Sequence, residues 1–152
     1  SSAATCRTPA SKALTGDSRF DSFAAEERDW LFGANAWGTS FMVGEGATFP
    51  QCMQHQVANL AGSLNGKGAI VVGAVVNGPN DDSNFEDGLG DLMDGMRKCP
   101  VTGKDPFAAF DGQGASFVDD VRSWQTDEPA LDMTGAAIIA SASQLAVHRW
   151  LG

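Results

Sequence analysis

The chain has 152 residues, of which 43% are hydrophobic and 19% charged, and it carries a net charge of −9 at neutral pH. This is enough length for one domain with a core, too apolar for a disordered chain, and too acidic, with only ten scattered Lys and Arg, to grip nucleic acid through its phosphates. The acidity suits solubility and an uncharged substrate, and the longest apolar run, 69–76 with Gly73 inside it, is far short of the roughly 18 residues of a membrane helix.

Residues 1–17 are small, polar and aperiodic and read as a leader or linker ahead of a segment spanning 18–152. The opening Ser1-Ser2-Ala3, with neither an initiating Met nor a signal peptide, reads as a processed or trimmed product. Ser18-x-x-Asp21 is a capping signal, and Phe20, Phe23, Ala24, Glu27 and Leu31 keep helical spacing up to Gly33, which predicts a helix over 21–32. Residues 33–68, rich in Gly, Asn and Gln, read as long ordered loops of the kind that carry function. The run GAIVVGAVVNGP at 68–79 has the local pattern of a buried strand closed by a turn.

An acidic loop follows at 80–91. Phe85, Leu89, Leu92, Met93 and Met96 then fall on one face of a predicted short helix, and 99–116 returns to loop. Pro129 at a first helical position, followed by ALDMTGAAIIASASQLAVHRWL, predicts a long final helix. Leu131, Ile138 and Leu145 form one stripe on it, while Gly135, Ala136, Ala137, Ala140 and Ala142 permit close approach. The helix is therefore expected to pack on two sides. Two long helices, a short one and many loops do not close a core, so the architecture reads as part of a larger one.

Cys6, Cys52 and Cys99 are three inert thiols in a reducing compartment. In a secreted protein two of them would pair, leaving the third free or bonded to another chain. Spacing leaves the pairing open, and an intermolecular bond would fall to Cys6 in the polar leader. The acidic loop Asn80–Asp91 invites calcium but fails the EF-hand pattern, because the sixth position counted from Asp82 is Asp87 and not Gly. A solvated charged face is the expected reading, with calcium as the minor alternative.

Four blocks in order resemble the C-terminal part of family 9 glycoside hydrolases. WLFGANAWGTSFMVGEG (Trp30–Gly46) is similar to that family's helix end and G-x-N-x-x-G-x-S-[YF]-x-x-G loop; Phe49-Pro50 and His55 follow where the family has its substrate-binding histidine. Val71–Pro79 resembles V-G-A-V-V-x-G-P, and Phe117–Ala136 resembles Y-x-D-D-R-x-D-Y-x-x-N-E-x-A-x-D-Y-x-A. The resemblance implies an all-α fold, the C-terminal part of an (α/α)6 barrel with long loops, in which 68–76 is a buried loop segment and not a strand of a sheet. It implies secreted enzymes that cleave β-1,4-glucosidic bonds of cellulose-like glucans with inversion, needing no cofactor. The family's D-A-G-D aspartates, which activate water, are absent from these residues. An N-terminal chain of the same enzyme is therefore the expected partner.

Inverting glycosidases set an acid and a base on opposite faces of the sugar. Glu128 matches the family's acid. Its place just before Pro129, at a helix N-terminus, favours the charged form, whereas a general acid acts protonated; burial against an aromatic such as Trp124 is expected to oppose the dipole. His55 matches the sugar-binding histidine. Trp37, Phe41 and Trp124 are the aromatics that could stack on glucose rings, the loop-borne Trp37 and Trp124 foremost. Asp119, Asp120 and Arg122 are expected to form a charged network that positions Glu128. The chain departs from the family pattern at Asp127, which stands where the family has Asn and adds a charge beside Glu128. It departs also at Met133 in place of Tyr, at Gln56-Val57 in place of Arg, and at Arg122, one position late; it has no Tyr at all, with Phe41 and Phe117 at positions where Tyr is common. The alternative reading is a non-catalytic structural or glucan-binding component derived from this fold.

Overall fold

The computed structural model describes residues 17–19, 21–56, 58, 71–93 and 96–149, with side chains of the final helix described as far as 145. The expected leader, apart from residue 17, and Cys6 lie outside the described residues.

Helix α1 spans Asp21–Leu31 and buries Ala24 and Leu31. At its start the Asp21 N–H donates to Ser18 O at 3.1 Å, and at its end Ala34 N–H returns to Asp29 O at 2.8 Å. Gly33 has φ +119°, a left-handed conformation that L side chains resist, so the chain leaves the helix where the sequence predicts.

The centre of the molecule is a three-ply ladder of short extended segments. Residues 74–78 run between 41–43 and 126–130, with antiparallel bridges Met42↔Val75 and Val76↔Pro129. On one side Val76 N–H donates to Phe41 O (3.0 Å) and Val43 N–H to Ala74 O (2.9 Å). On the other, Asn77 N–H donates to Glu128 O (3.1 Å), Gly78 N–H to Thr126 O (2.9 Å) and Ala130 N–H to Val75 O (3.1 Å). Ala74, Val75 and Val76 are all buried. The strand-like pattern and the expectation of a buried loop thus describe one object: a segment bonded on both flanks, without a sheet to belong to.

Phe41, Val43, Met53, Val75, Val76 and Phe117 form the sealed centre of the core. Ring centroids lie 5.0 Å apart for Trp30–Phe41, 4.9 Å for Phe41–Phe117 and 5.2 Å for Phe107–Phe117. Phe at 41 and 117 leaves no buried hydroxyl in need of a partner. Cys52 and Cys99 form a disulfide with Cα atoms 5.2 Å apart, packed with Met96 and Val121. Closing a separation of 47 residues is worth about 4 kcal/mol of unfolded-chain entropy.

Four expectations change. The helix predicted from Phe85 to Met96 is not formed by the described residues. Asp82–Phe85 is a single 3-10 turn capped by Asp81, whose side chain accepts from Ser83 N–H at 2.8 Å. Gly88, at φ +80°, then turns the chain away, and Leu92 and Met93 are exposed. The all-α class gains a small ribbon, β1 (Asn80–Asp81) paired antiparallel with β2 (Ala115–Ser116), Asn80 opposite Ser116. Helix α2 spans Leu131–Arg149, two residues after Pro129, because Pro129 is held in its bridge to Val76 and Ala130 O receives Thr134 N–H at 3.0 Å.

Packing on two sides is not seen for α2 among the described residues. Ala137 and Ala140 are buried, and Thr134 Oγ1 accepts Val75 N–H at 3.0 Å. The stripe of Leu131, Ile138 and Leu145 is open, at 93%, 63% and 68% exposure. No helix of the described residues is long and apolar enough to cross a membrane.

Candidate active site

The loop 117–130 presents Glu128. It has almost no regular structure, yet its own polar groups hold it. Thr126 Oγ1 donates to Val118 O (2.9 Å), accepts Val118 N–H (3.2 Å) and lies 2.6 Å from Ser123 Oγ. Gln125 Nε2 donates to Asn84 O and Gly88 O, both at 3.1 Å, tying the acidic loop to it. Asn77 grips the outer edge: its N–H donates to Glu128 O at 3.1 Å and its Nδ2 to Trp124 O at 2.7 Å. The Glu128 main chain is therefore fixed while its side chain stays exposed. Burial of Glu128 against Trp124, expected from sequence, is not provided here, since Trp124 is itself 51% exposed.

The expected charged network divides in two. Arg122 forms a two-point pair with Asp120, Nε to Oδ1 at 2.9 Å and Nη2 to Oδ2 at 2.8 Å, at the loop's surface. Burial works to raise the Asp120 carboxyl, but the Arg122 hydrogen bonds outweigh it and hold the group below the usual carboxylate range. Asp119 points inward instead. Its Oδ1 accepts Cys52 N–H at 2.7 Å and Gln51 N–H at 3.1 Å, anchoring the loop that leads to His55. Gln54 N–H then donates to Asp127 O at 2.9 Å, bringing the histidine loop and the acid loop edge to edge.

His55 Nδ1 accepts Ala58 N–H at 3.2 Å, which leaves the ring proton on Nε2. The ring lines a groove of about 790 Å³ together with Val72, Pro129, Leu131, Ile138 and Leu145. A second groove, of about 770 Å³, is lined by Trp37, Phe49, Gln51, Phe107, Phe110 and Asp119 among others. Trp37 is mostly buried, and its Nε1 donates to Asp111 Oδ1 at 2.8 Å, so one edge of a pinned ring faces that groove. Phe41 is a core residue at 1% exposure, wedged between Trp30 and Phe117, and cannot stack on a sugar. Trp124 is the aromatic candidate that offers an open face. Glu128 lines neither of these two grooves.

Residues 1–141 match the sequence profile of Glycosyl hydrolase family 9. The chain belongs to this family. Among family relatives it is similar to Endoglucanase 2 of Oryza sativa subsp. japonica, with 30% identity over 94 residues, 49% of this chain and 15% of that protein. It is similar also to Endoglucanase 3 of the same plant, 33% identical over 87 residues, 45% of this chain and 17% of the relative. In fold it resembles the crystal structure of GH family 9 endoglucanase J30 (TM-score 0.53, 27% identity, 85% of this chain and 20% of that one). It resembles equally a Zn-binding triple mutant of that endoglucanase (TM-score 0.54, 29% identity, the same shares). The chain thus spans about a fifth or less of the length of the relatives it matches.

Within this family 9 segment, several residues that hold the site were not singled out from sequence. Asn77 lies inside the V-G-A-V-V-N-G-P block, and an Asn beside a turn signals little beyond the turn itself. Asp111 fixes both Trp37 and the Phe117 N–H (3.0 Å) from a segment with no recognisable pattern. In the acidic loop Asp81 caps a turn and Asp82 Oδ1 accepts Ser116 Oγ–H at 2.7 Å, and among the described residues no group of three or more His, Cys, Asp or Glu is arranged to hold a metal ion.

Proposed function

We propose that this chain supplies the general-acid half of an inverting hydrolase of β-1,4-linked glucans, with Glu128 as the acid. The observation that carries the reading is a carboxylate whose main chain is clamped by Asn77 and Gly78 against 126–128 while its side chain stays free, in a family 9 segment. A proton donor must reach a glycosidic oxygen from a fixed base, and this arrangement gives both reach and fixity.

Trp124, exposed and held at its carbonyl by the same Asn77, offers a sugar face beside the acid. His55 contributes an Nε2–H donor at the edge of the neighbouring groove. The base carboxylates come from an N-terminal piece of the same enzyme on a partner chain, which also forms part of an (α/α)6 barrel and covers the bare stripe of α2. Closing that piece over bound glucan excludes bulk water from the reacting bond. The Cys52–Cys99 disulfide supports a secreted enzyme, because such bonds persist in oxidising compartments.

Glu128→Gln in the complete enzyme is expected to lower kcat on a soluble β-1,4-glucan by roughly 10²–10⁴-fold with little change in KM. NMR of the first-formed sugar from the wild type should show the α-anomer, as inversion requires. Hydrolysis undiminished in Glu128→Gln would remove the residue from the mechanism. Glucan binding without hydrolysis by the assembled protein would favour a binding component instead.

A further inference from the structure

We propose that Asp127 and Asp119 share one proton as a buried acid–carboxylate pair, and that this pair is the positioning element holding the Glu128 peptide against the histidine loop. Asp127 has no solvent exposure, and neither of its carboxyl oxygens finds an N–H or O–H donor among the described residues. Asp119 accepts from the N–H groups of Gln51 and Cys52 while Asp127 O accepts from that of Gln54, so one turn brings the two residues together, and each carboxyl acts on the other. Two ionised carboxylates cannot bond each other, so a hydrogen bond within the pair requires a proton on one of them. Asp119 has the donors, since Gln51 and Cys52 main-chain N–H groups already point at it from 2.7–3.1 Å. It is the member suited to keep the charge, which makes Asp127 the donor.

The surroundings agree. Asp119, Asp120 and Asp105 all act on Asp127 as like charges. Arg122 is engaged with Asp120, and Lys98 also acts on Asp120. Glu128, next in the chain, is exposed. Burial first, then the charge of Asp119 and the hydrogen bond to it, push the Asp127 carboxyl well above the usual carboxylate range. The residue is also tied at its N–H to Ser123 O (2.9 Å) and at its C=O by Gln54 N–H (2.9 Å). A neutral Asp127 therefore cancels the adjacent charge that the sequence suggests beside Glu128. The positioning half of the proposal rests on Glu128 being the acid; the shared proton does not.

The test uses the complete enzyme containing this chain, as wild type, Asp127→Asn and Asp127→Ala, with melting temperature, kcat and KM followed from about pH 4 to about pH 9. A carboxyl whose folded pKa is raised leaves stability intact below its ordinary value and lowers it as pH climbs toward the raised one. Wild-type melting should therefore fall as pH climbs above the ordinary carboxylate range. Asp127→Asn should lose that fall, since an amide donates to Asp119 without titrating, and an infrared band of a protonated carboxyl should disappear with it. Asp127→Ala should lower kcat roughly 10- to 100-fold with KM within about twofold, and Asp127→Asn should restore most of the loss. Superimposable melting curves for wild type and Asp127→Asn, or failure of Asp127→Asn to fold, overturn the shared proton. If Asp127→Asn flattens the curve while Glu128→Gln leaves hydrolysis intact, the proton pair stands and the positioning role is overturned together with the acid assignment.

Discussion

Residues 117–130 contain no regular structure beyond the single bridge at Pro129, yet they bury Phe117, Val121 and most of the buried polar side chains among the described residues, Asp119, Asp120, Ser123, Gln125, Thr126 and Asp127. The following nineteen residues form the longest helix among the described residues and leave Leu131, Ile138, Ile139 and Leu145 open. In the loop, order comes from side chains that satisfy the main chain, each choice of residue dictated by a neighbour already in place. In α2, order is local: its backbone bonds close between residues one turn apart, so it needs little from outside to be a helix and much from outside to be covered.

Substitutions can break or sharpen this contrast. The largest effect is expected for Phe117→Ala, which removes the ring between Phe41 and Phe107 at the root of the loop. It should cost about 3–5 kcal/mol in urea unfolding, and a cost under about 1 kcal/mol would show that the loop does not depend on the core. Thr126→Val keeps the shape but strands the N–H and C=O of Val118 and the Ser123 hydroxyl, so about 1–3 kcal/mol should be lost. Differential scanning calorimetry of the two proteins measures it directly. The smallest effect is expected for Ile138→Ser on the bare face of α2: no more than about 0.5 kcal/mol for these residues by themselves. In the complete enzyme the same exchange should cost about 1.5–3 kcal/mol if a partner segment packs there, and the gap between the two urea midpoints measures that covering.

The same contrast decides what could be read in the sequence. Helix α1 is legible because Phe23, Ala24, Glu27 and Leu31 keep one period and Gly33 supplies the stop, all local matters. Most of α2 is legible for the same reason, but its first residue is not: Pro129 suits a first helical turn equally well as it suits a bridge to Val76, and only the tertiary partner chooses. The apolar spacing from Phe85 to Met96 does not make a helix of the described residues, because Gly88 adopts a left-handed turn that periodicity ignores. Phe41 looks like Trp37 and Trp124 in sequence; its burial depends on Phe117, which is 76 residues away. Glu128 and His55 stand out through family motifs, whereas the neutral state inferred for Asp127 depends on Asp119 reaching it from another turn of the chain. The Cys52–Cys99 pairing is invisible to spacing for the same reason.

Asn77 and its neighbours carry one more consequence, for how the chain tolerates changes in length. Segment 74–78 is read from both edges, by 41–43 and by 126–130, so adding or deleting a single residue there would shift two registers at once and exchange the faces on which Val75 and Val76 pack. The exposed bend at 101–104 has no such obligation: the bonds within it are local, Gly103 N–H to Pro100 O and Lys104 N–H to Thr102 Oγ1. Insertions, tags or grafted sugar-contacting loops therefore belong at that bend and not at 86–88, where Gln125 holds Gly88 O. The short apolar segment 74–78 acts as the ruler against which both halves of the site are aligned.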